Sequence, residues 1–230
     1  MAISAKNGIL LSALSALNGI ARATIGALNG VTASGGGGSF DSTVGGNTGN
    51  TYSGLQMCFI EAGDPTVSRD DPTGFDPFGG DTRALLRPTG VSNIAALGTI
   101  TLTTATLYIY LTNVFGDSGL DAYRCLRNWI GAEADWNEFA TGSSWTTAGG
   151  SGSGTDRSAS PIGNVSWVDG VSDPGYVAIS LDLTTMAALI NSGPNHGVML
   201  VGNASAYGDI AGTAGTDGQR PYFRFAGTYA

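Results

Sequence analysis

The clearest feature of this sequence is a period-two alternation of apolar and polar residues. It is strongest in Thr99–Thr112, where Leu107, Ile109 and Leu111 share one face and two tyrosines share the other. Successive side chains of a β-strand point to opposite faces, so this segment is predicted to be a strand with one buried face. Further strands are predicted at Gly54–Glu61, Arg83–Pro88, Leu120–Arg127, Tyr176–Asp182, Gly197–Gly202 and Tyr222–Ala226.

One helix interrupts this β pattern. Leu183–Ser192 carries apolar residues at helical spacing, with Asp182 or Thr184 as the N-cap and Gly193-Pro194 as the stop. Short strands separated by clusters of Gly, Asp, Ser and Pro are typical of an antiparallel sandwich or barrel. We therefore expect an all-β domain with a single short helix at one end.

The N-terminal segment has a different period. Asn-Gly recurs every eleven residues at positions 7, 18 and 29, and Asn-Gly favours turns over a continuous helix. The repeat carries almost no charge and is too short to bury its own apolar side chains. It is therefore predicted to dock onto other proteins or copies of itself, which makes a homo-oligomer the expected state. The docking residues are Ile9, Leu14, Leu17, Ile20, Ile25, Leu28 and Val31.

The glycine-rich run 33–39 reads as a flexible linker, which disfavours packing of the repeat on its own β-domain. The predicted organisation is a docking segment over 1–34, a linker over 35–46 and a β-domain over 47–230.

Composition excludes several classes of protein. The net charge is −8, and no cluster of Lys and Arg offers a surface for nucleic acid. No unbroken run of about 20 apolar residues predicts a membrane span. Cys58 and Cys125 allow at most one disulfide bridge, so this is not a disulfide scaffold.

Two resemblances to known families add to this picture. The Asn-Gly-Ile/Val repeat of residues 6–34, followed by a glycine-rich hinge and a β-domain, resembles the N-terminal anchors of tailed-bacteriophage virion proteins. The resemblance implies that the repeat binds other virion proteins and that the β-domain is displayed on the particle surface.

The second resemblance covers residues 47–229 and rests on an ordered series of motifs. The succession is similar to the DNRLRE-type jelly-roll modules related to carbohydrate-binding modules, and it implies an antiparallel jelly-roll β-sandwich. The sequence departs from the family at Pro88-Thr89, where Phe-Asp is usual. The motifs are Arg83–Arg87, Thr104–Thr112, Tyr123–Trp129, Asp135–Asn137, Ser144–Gly150, Val177–Thr184, Asn195–Gly202 and Arg220–Phe225.

The residues give little support to catalysis. His196 is the only histidine, so a Ser-His-Asp or Cys-His arrangement is disfavoured. Glu133, Asp135 and Glu138 cluster beside Trp136 and imitate the carboxylate pair of a glycosidase, but no spacing rule supports that role. The same residues also read as a solvated loop around a core tryptophan. We expect a protein that is not an enzyme.

Two kinds of binding site remain. Trp167 and Tyr207 are candidate glycan contacts, because a flat apolar ring with a polar edge suits a sugar. Asp70, Asp71 and Asp76 lie in a loop rich in Gly and Pro and could offer oxygen ligands to a structural Ca²⁺, the only cofactor considered. A solvated acidic loop is the alternative reading of these aspartates.

The sequence thus predicts a non-enzymatic bacteriophage virion protein, of capsid-decoration, head-fibre or tail-fibre type, that displays a β-sandwich on the particle surface. Its role is either adhesive, through binding to host cell-surface glycans, or structural, with no specific ligand. The alternative is a secreted, extracellular bacterial carbohydrate-binding module. That alternative predicts cleavage near residues 16–19 and a Cys58–Cys125 bridge, whereas the virion hypothesis predicts an intact N-terminus and reduced thiols.

Overall fold

The computed structural model describes residues 37–75, 81–114, 116–168, 174–202 and 208–230. The strands are β1 Gly38–Gly45, β2 Leu55–Glu61, β3 Arg69–Asp70, β4 Gly74–Phe75, β5 Thr82–Pro88, β6 Ile100–Val114, β7 Ser118–Arg124, β8 Glu138–Ala140, β9 Ser143–Ser144, β10 Gly163–Trp167, β11 Gly175–Ser180, β12 Val198–Gly202, β13 Gly208–Ala211 and β14 Tyr222–Tyr229.

The strands form two six-stranded antiparallel sheets and a small hairpin of β8 and β9. Sheet I has the order β1-β14-β6-β13-β4, with β11 also paired to β6, and sheet II has the order β10-β7-β12-β5-β2-β3.

The strand order confirms the predicted antiparallel jelly-roll β-sandwich. Eight of the strands run β1-β14-β6-β11 in sheet I and β5-β12-β7-β10 in sheet II, so the first strand lies beside the last. This is the arrangement of two interlocked Greek keys that defines a jelly roll. The remaining strands extend the edges of the two sheets.

The main core lies between the sheets. Leu107, Ile109 and Leu111 of β6 are at most 1% exposed, as the sequence alternation predicts. Phe223 and Phe225 of β14 stack in parallel beside them, with ring centroids 5.8 Å apart. Sheet II contributes the facing layer, which includes Met57, Leu86, Leu120, Val198 and Leu200.

A second core covers the outer face of sheet II. Residues 125–158 leave β7, fold over that face and bury Trp129 and Trp145 against it. Sheet II is therefore apolar on both faces, which explains why most of β5 is buried. The buried members of this second core are Cys58, Ile60, Leu85, Cys125, Trp129, Ala134, Trp145 and Met199.

The predicted helix is confirmed as α2, Leu183–Asn191, and its N-cap is Asp182, whose side chain accepts a hydrogen bond from Thr185 N at 2.7 Å. A shorter helix, α1, spans Ser92–Ala95 and was not predicted. The 3-10 turns lie at Thr89–Val91 and Ala148–Gly150.

The linker predicted over 35–46 is wrong from Gly38 onward. Residues 38–45 form β1, which pairs with β14 in continuous register from Gly38–Tyr229 to Gly45–Tyr222. Within this strand Ser42 and Val44 are buried, whereas Ser39 and Asp41 are exposed, so the period of two is present in a glycine-rich context. The sandwich therefore includes residues that composition alone assigns to the hinge.

Candidate functional site

Several predicted site residues lie outside the described part of the chain. These are Tyr207, Asp76 and all the docking residues Ile9, Leu14, Leu17, Ile20, Ile25, Leu28 and Val31. The predictions on them stay predictions.

Trp167 is not a surface platform. Its side chain is 2% exposed and packs in the main core, so the prediction that its ring contacts a glycan is wrong. The reason is the strand period: Trp167 shares the inner face of β10 with Val165, while Val168, the next residue along, is 51% exposed.

The structure describes two of the three aspartates that are predicted to bind calcium. Asp70 sits in β3, opposite Cys58, and the backbone of Asp71 has a φ of 47° and donates a hydrogen bond to Met57 O at 2.8 Å. Asp tolerates this left-handed conformation better than most residues, which gives Asp71 a role in the turn. Within the described ranges no three His, Cys, Asp or Glu side chains form a metal-binding group.

The three acidic residues beside Trp136 serve the local turns. Asp135 Oδ1 accepts hydrogen bonds from Asn137 N and Glu138 N at 2.8 and 2.7 Å. Glu133 Oε2 binds Thr141 N, and Glu138 Oε2 binds Gly142 N, each at 2.9 Å. Each carboxylate therefore already binds the backbone of its own loop.

Cys58 and Cys125 are free thiols, 0% and 1% exposed, in the second core. Burial raises the pKa of Cys58 well above its usual range and that of Cys125 to about 12. Both therefore remain protonated at neutral pH, and their nucleophilicity is low.

The outer face of sheet I carries a cluster of four half-buried tyrosines. Tyr108 of β6 and Tyr222 of β14 are directly paired across the strands, and their rings stack 4.7 Å apart at an angle of 11°. Tyr176 of β11 pairs with Tyr110 of β6 and sets its ring edge-on to the other three, at 5.1–6.4 Å. We call Tyr108, Tyr110, Tyr176 and Tyr222 the tyrosine face.

The tyrosine face is held in place by hydrogen bonds from a neighbouring loop. Asn47 Nδ2 donates to Tyr176 Oη at 2.9 Å, and Tyr176 Oη donates to Arg220 O at 2.9 Å. Asn47 is itself fixed, because its Oδ1 accepts hydrogen bonds from Gly218 N and Arg220 N. Burial raises the pKa of both Tyr176 and Tyr222, so the rings stay neutral phenols. Such a surface needs little reordering when it binds a ligand.

Small and polar side chains border the tyrosine face. Gly45 of β1 pairs with Tyr222 and Ala178 of β11 pairs with Tyr108, so the residue directly opposite each stacked ring on these outer strands is small. On the next row, Arg224 binds Asp41 through two hydrogen bonds of 2.9 and 2.7 Å. A flat aromatic centre with hydrogen-bonding groups at its border suits a ligand with apolar faces and hydroxyl edges.

A cleft of about 580 Å³ opens where the edges of the two sheets meet. Thr112 and Asp209 line the cleft side by side. Thr112 lies two residues beyond Tyr110 on β6, and Asp209 lies at a β-bulge, where the register between β13 and β6 shifts. On the opposite wall, Arg69 is already paired with Glu61 and Asp64. The cleft thus begins next to the tyrosine face and offers hydroxyl and carboxylate groups along its walls.

No protein-family model and no curated protein matches the chain. Among the described residues, none of the helices has the length and apolar character that crossing a membrane requires. The fold, the tyrosine face and the N-terminal repeat are therefore the features of the chain that bear on its function.

Proposed function

We propose that this protein is a non-enzymatic glycan-binding module, carried on a bacteriophage particle by its N-terminal repeat. The observation that carries the glycan-binding part is the tyrosine face: four half-buried rings on the outer surface of a jelly-roll sheet, fixed by Asn47 and Arg220. Aromatic faces stack on the apolar faces of sugar rings, and the phenol hydroxyls offer hydrogen bonds to sugar hydroxyls. Several copies on one particle would turn weak contacts into useful avidity.

The mutational test uses an array of bacterial surface polysaccharides and neutral oligosaccharides. Tyr222→Ala and Tyr108→Ala each remove one member of the stacked pair, and we expect each to weaken binding about tenfold or more, because buried aromatic anchors dominate such contacts. Affinity for the best array ligand is then measured by calorimetry.

The matched control is Tyr123→Ala, which removes a half-buried tyrosine from the outer face of sheet II. It should bind like the unaltered protein, and the melting temperature of each variant shows whether it is folded. Retained affinity in folded Tyr222→Ala and Tyr108→Ala would contradict glycan binding by the tyrosine face.

The virion part of the proposal rests on the repeat and on its resemblance to phage anchors. The repeat places apolar residues such as Leu14, Ile20 and Leu28 in a segment with almost no charge, which predicts self-association or docking. The secreted module is the second candidate, and it shares the same sugar-binding face. Its distinguishing feature is a cleaved N-terminus.

Light scattering combined with intact-mass analysis separates the two candidates. For the virion protein we expect the full chain to keep its terminus and to self-associate, and Ile20→Asp with Leu28→Asp to shift it to the monomer. Replacement of Val67 by Asp is the control, because Val67 is an exposed residue of the β-domain. A chain that loses its first 16–19 residues and is monomeric would instead identify the secreted module.

A further inference from the structure

The cleft between the edges of the two sheets is large enough to hold a small molecule. Its volume of about 580 Å³ falls within the range of roughly 300–1,000 Å³ that ligand sites occupy. One wall comes from sheet II, where Glu61 of β2 pairs with Thr82 of β5. The other wall comes from sheet I and includes Asp209 and Ile210 of β13. Strands therefore fix both walls.

The cleft reaches the main core between the sheets. Ile210 lines the cleft, is 1% exposed and belongs to that core. Phe59 packs against the same core and lines the cleft from the side of sheet II. Each wall thus offers apolar surface to the carbon skeleton of a ligand, and a small number of polar groups on such a surface fixes the orientation of the ligand.

The first of these polar groups is the hydroxyl of Thr82. Thr82 lines the cleft, is only 5% exposed, and shares the inner face of β5 with Ala84 and Leu86 of the main core. Its hydroxyl forms no hydrogen bond with any of the described residues. Polar side-chain atoms of such buried residues are nearly always hydrogen-bonded to protein, water or ligand, so this hydroxyl requires a partner in the cleft.

The second polar group is the carboxylate of Asp209 in the opposite wall, where the residue is half-buried. The backbone of Asp209 is fixed, because its carbonyl oxygen accepts a hydrogen bond from Thr112 Oγ1 at 3.1 Å. Within the described ranges the Asp209 side chain forms neither an ion pair nor a hydrogen bond. Its carboxylate is therefore available to a cation.

The charge of the lining residues also favours a cation. Glu61 and Asp209 are acidic, and Arg69 carries the one positive charge among them. The guanidinium of Arg69 binds Glu61 at 3.3 Å and also binds Asp64, and it lies 5.2 Å from the ring centroid of Phe59. Arg69 is thus held by the wall of sheet II, which leaves the charge of Asp209 on the other wall uncompensated. One carboxylate is enough to bind an ammonium group.

We infer that the cleft binds a hydroxylated primary amine, the class that includes amino sugars with a free ammonium group. An ammonium has three N–H donors and no acceptor, so it forms a charge-assisted hydrogen bond to the Asp209 carboxylate. A hydroxyl of the ligand pairs with Thr82 Oγ1, and the carbon skeleton contacts Phe59 and Ile210. The four rings of the tyrosine face take no part in this site, and the inference does not rest on glycan binding there.

The test is an NMR titration of the full-length protein with D-glucosamine, in which the backbone amide signals of Thr82 and Asp209 report on the two walls. Separate titrations at equal ionic strength use D-glucose, which has no ammonium group, and methylammonium, which has no hydroxyls. We expect saturable shifts of both signals with glucosamine, and an affinity about tenfold lower or less for each of the other two probes. Equal affinity for glucose or for methylammonium, or no saturable shift with glucosamine, would overturn the inference.

Two variants test the two walls separately. Asp209→Asn keeps the size of the side chain but removes its charge, and it should weaken glucosamine binding about tenfold or more. Thr82→Val replaces the hydroxyl by a methyl group of similar size and should weaken binding severalfold. The control is Asp121→Asn, which removes the same charge from a half-buried aspartate of β7, opposite Val201 and outside the cleft.

The control should bind glucosamine like the unaltered protein, and melting temperatures show which variants are folded. Unchanged affinity in a folded Asp209→Asn or Thr82→Val protein, or an equal loss in Asp121→Asn, would contradict the assignment of the site to the cleft.

Discussion

Asp156→Ala is expected to lower the free energy of unfolding by about 3–5 kcal/mol, because it leaves three backbone hydrogen-bond donors and the Arg127 guanidinium without their shared partner. The Asp156 side chain is 0% exposed and binds Arg127 Nε at 3.1 Å. Its two oxygens also accept hydrogen bonds from Thr146 N, Thr147 N and Gly152 N at 2.9–3.1 Å. The Asp156 carboxylate thus links several parts of the segment 125–158, which covers the outer face of sheet II. Its removal leaves several hydrogen-bond donors unpaired.

The contribution of the Asp156 carboxylate to the free energy of unfolding should depend on pH. Burial raises its pKa, but the hydrogen bonds from Thr146, Thr147 and Arg127 outweigh burial, so the net pKa in the folded protein is lowered. In the unfolded chain the pKa is about 3.9. The stabilisation is therefore complete above about pH 4 and is lost as the pH falls through the lower folded value.

Urea denaturation at pH 7 and at pH 3 measures both effects. We expect the difference in stability between the unaltered protein and Asp156→Asn to shrink at the lower pH. Asp41→Ala serves as the control, because its ion pair with Arg224 is half exposed and such pairs contribute less than about 1 kcal/mol. A loss of less than about 1 kcal/mol in Asp156→Ala would refute this role of the carboxylate.

Trp129→Ala should destabilise the fold by a similar amount, about 3–5 kcal/mol, because it empties the centre of the second core. Trp129 is 0% exposed, its Nε1 donates to His196 O, and the guanidinium of Arg87 lies 4.4 Å from its ring centroid. The substitution therefore removes packing, a hydrogen bond and a cation–π contact together.

Thermal and urea denaturation of three variants test this prediction. Trp129→Phe keeps an aromatic ring and should lose less stability than Trp129→Ala. Trp136→Phe alters a tryptophan at the border of the same core and should cost least, since that ring is only half-buried. If Trp129→Ala were as stable as Trp136→Phe, the second core would not be a major source of stability.

The sequence predicted the central strand of sheet I because that strand buries only one face. Leu107, Ile109 and Leu111 alternate with tyrosines on β6, and the observed strand contains the predicted one except for Thr99. Asp182 marked the start of α2 correctly. The period-two pattern did not lead to the prediction of β1, because the glycines around Phe40 and Val44 obscure the alternation of apolar and polar residues. The hydrophobic pattern also gave no sign of the second core, because the apolar residues of segment 125–158 follow neither a helical nor a strand period.

The tyrosine face could be predicted only in part. Tyr108 and Tyr110 are visibly on one face of one strand, and Tyr176 and Tyr222 fall in other predicted strands. Their meeting depends on β6 lying between β11 and β14 in this register, which is a property of the topology and not of local sequence. The inward-facing position of Trp167 likewise depends on how β10 pairs with β7, and its neighbours along the chain do not reveal it.

The most direct test of glycan binding is an NMR titration of the tyrosine-labelled protein with the best ligand from the polysaccharide array. The chain has eight tyrosines, so the four rings of the tyrosine face can be compared with the others in one experiment. The account predicts saturable shifts for Tyr108, Tyr110, Tyr176 and Tyr222, while Tyr123 on sheet II stays unchanged. Shifts confined to tyrosines outside this face, or no saturable shift at all, would contradict it.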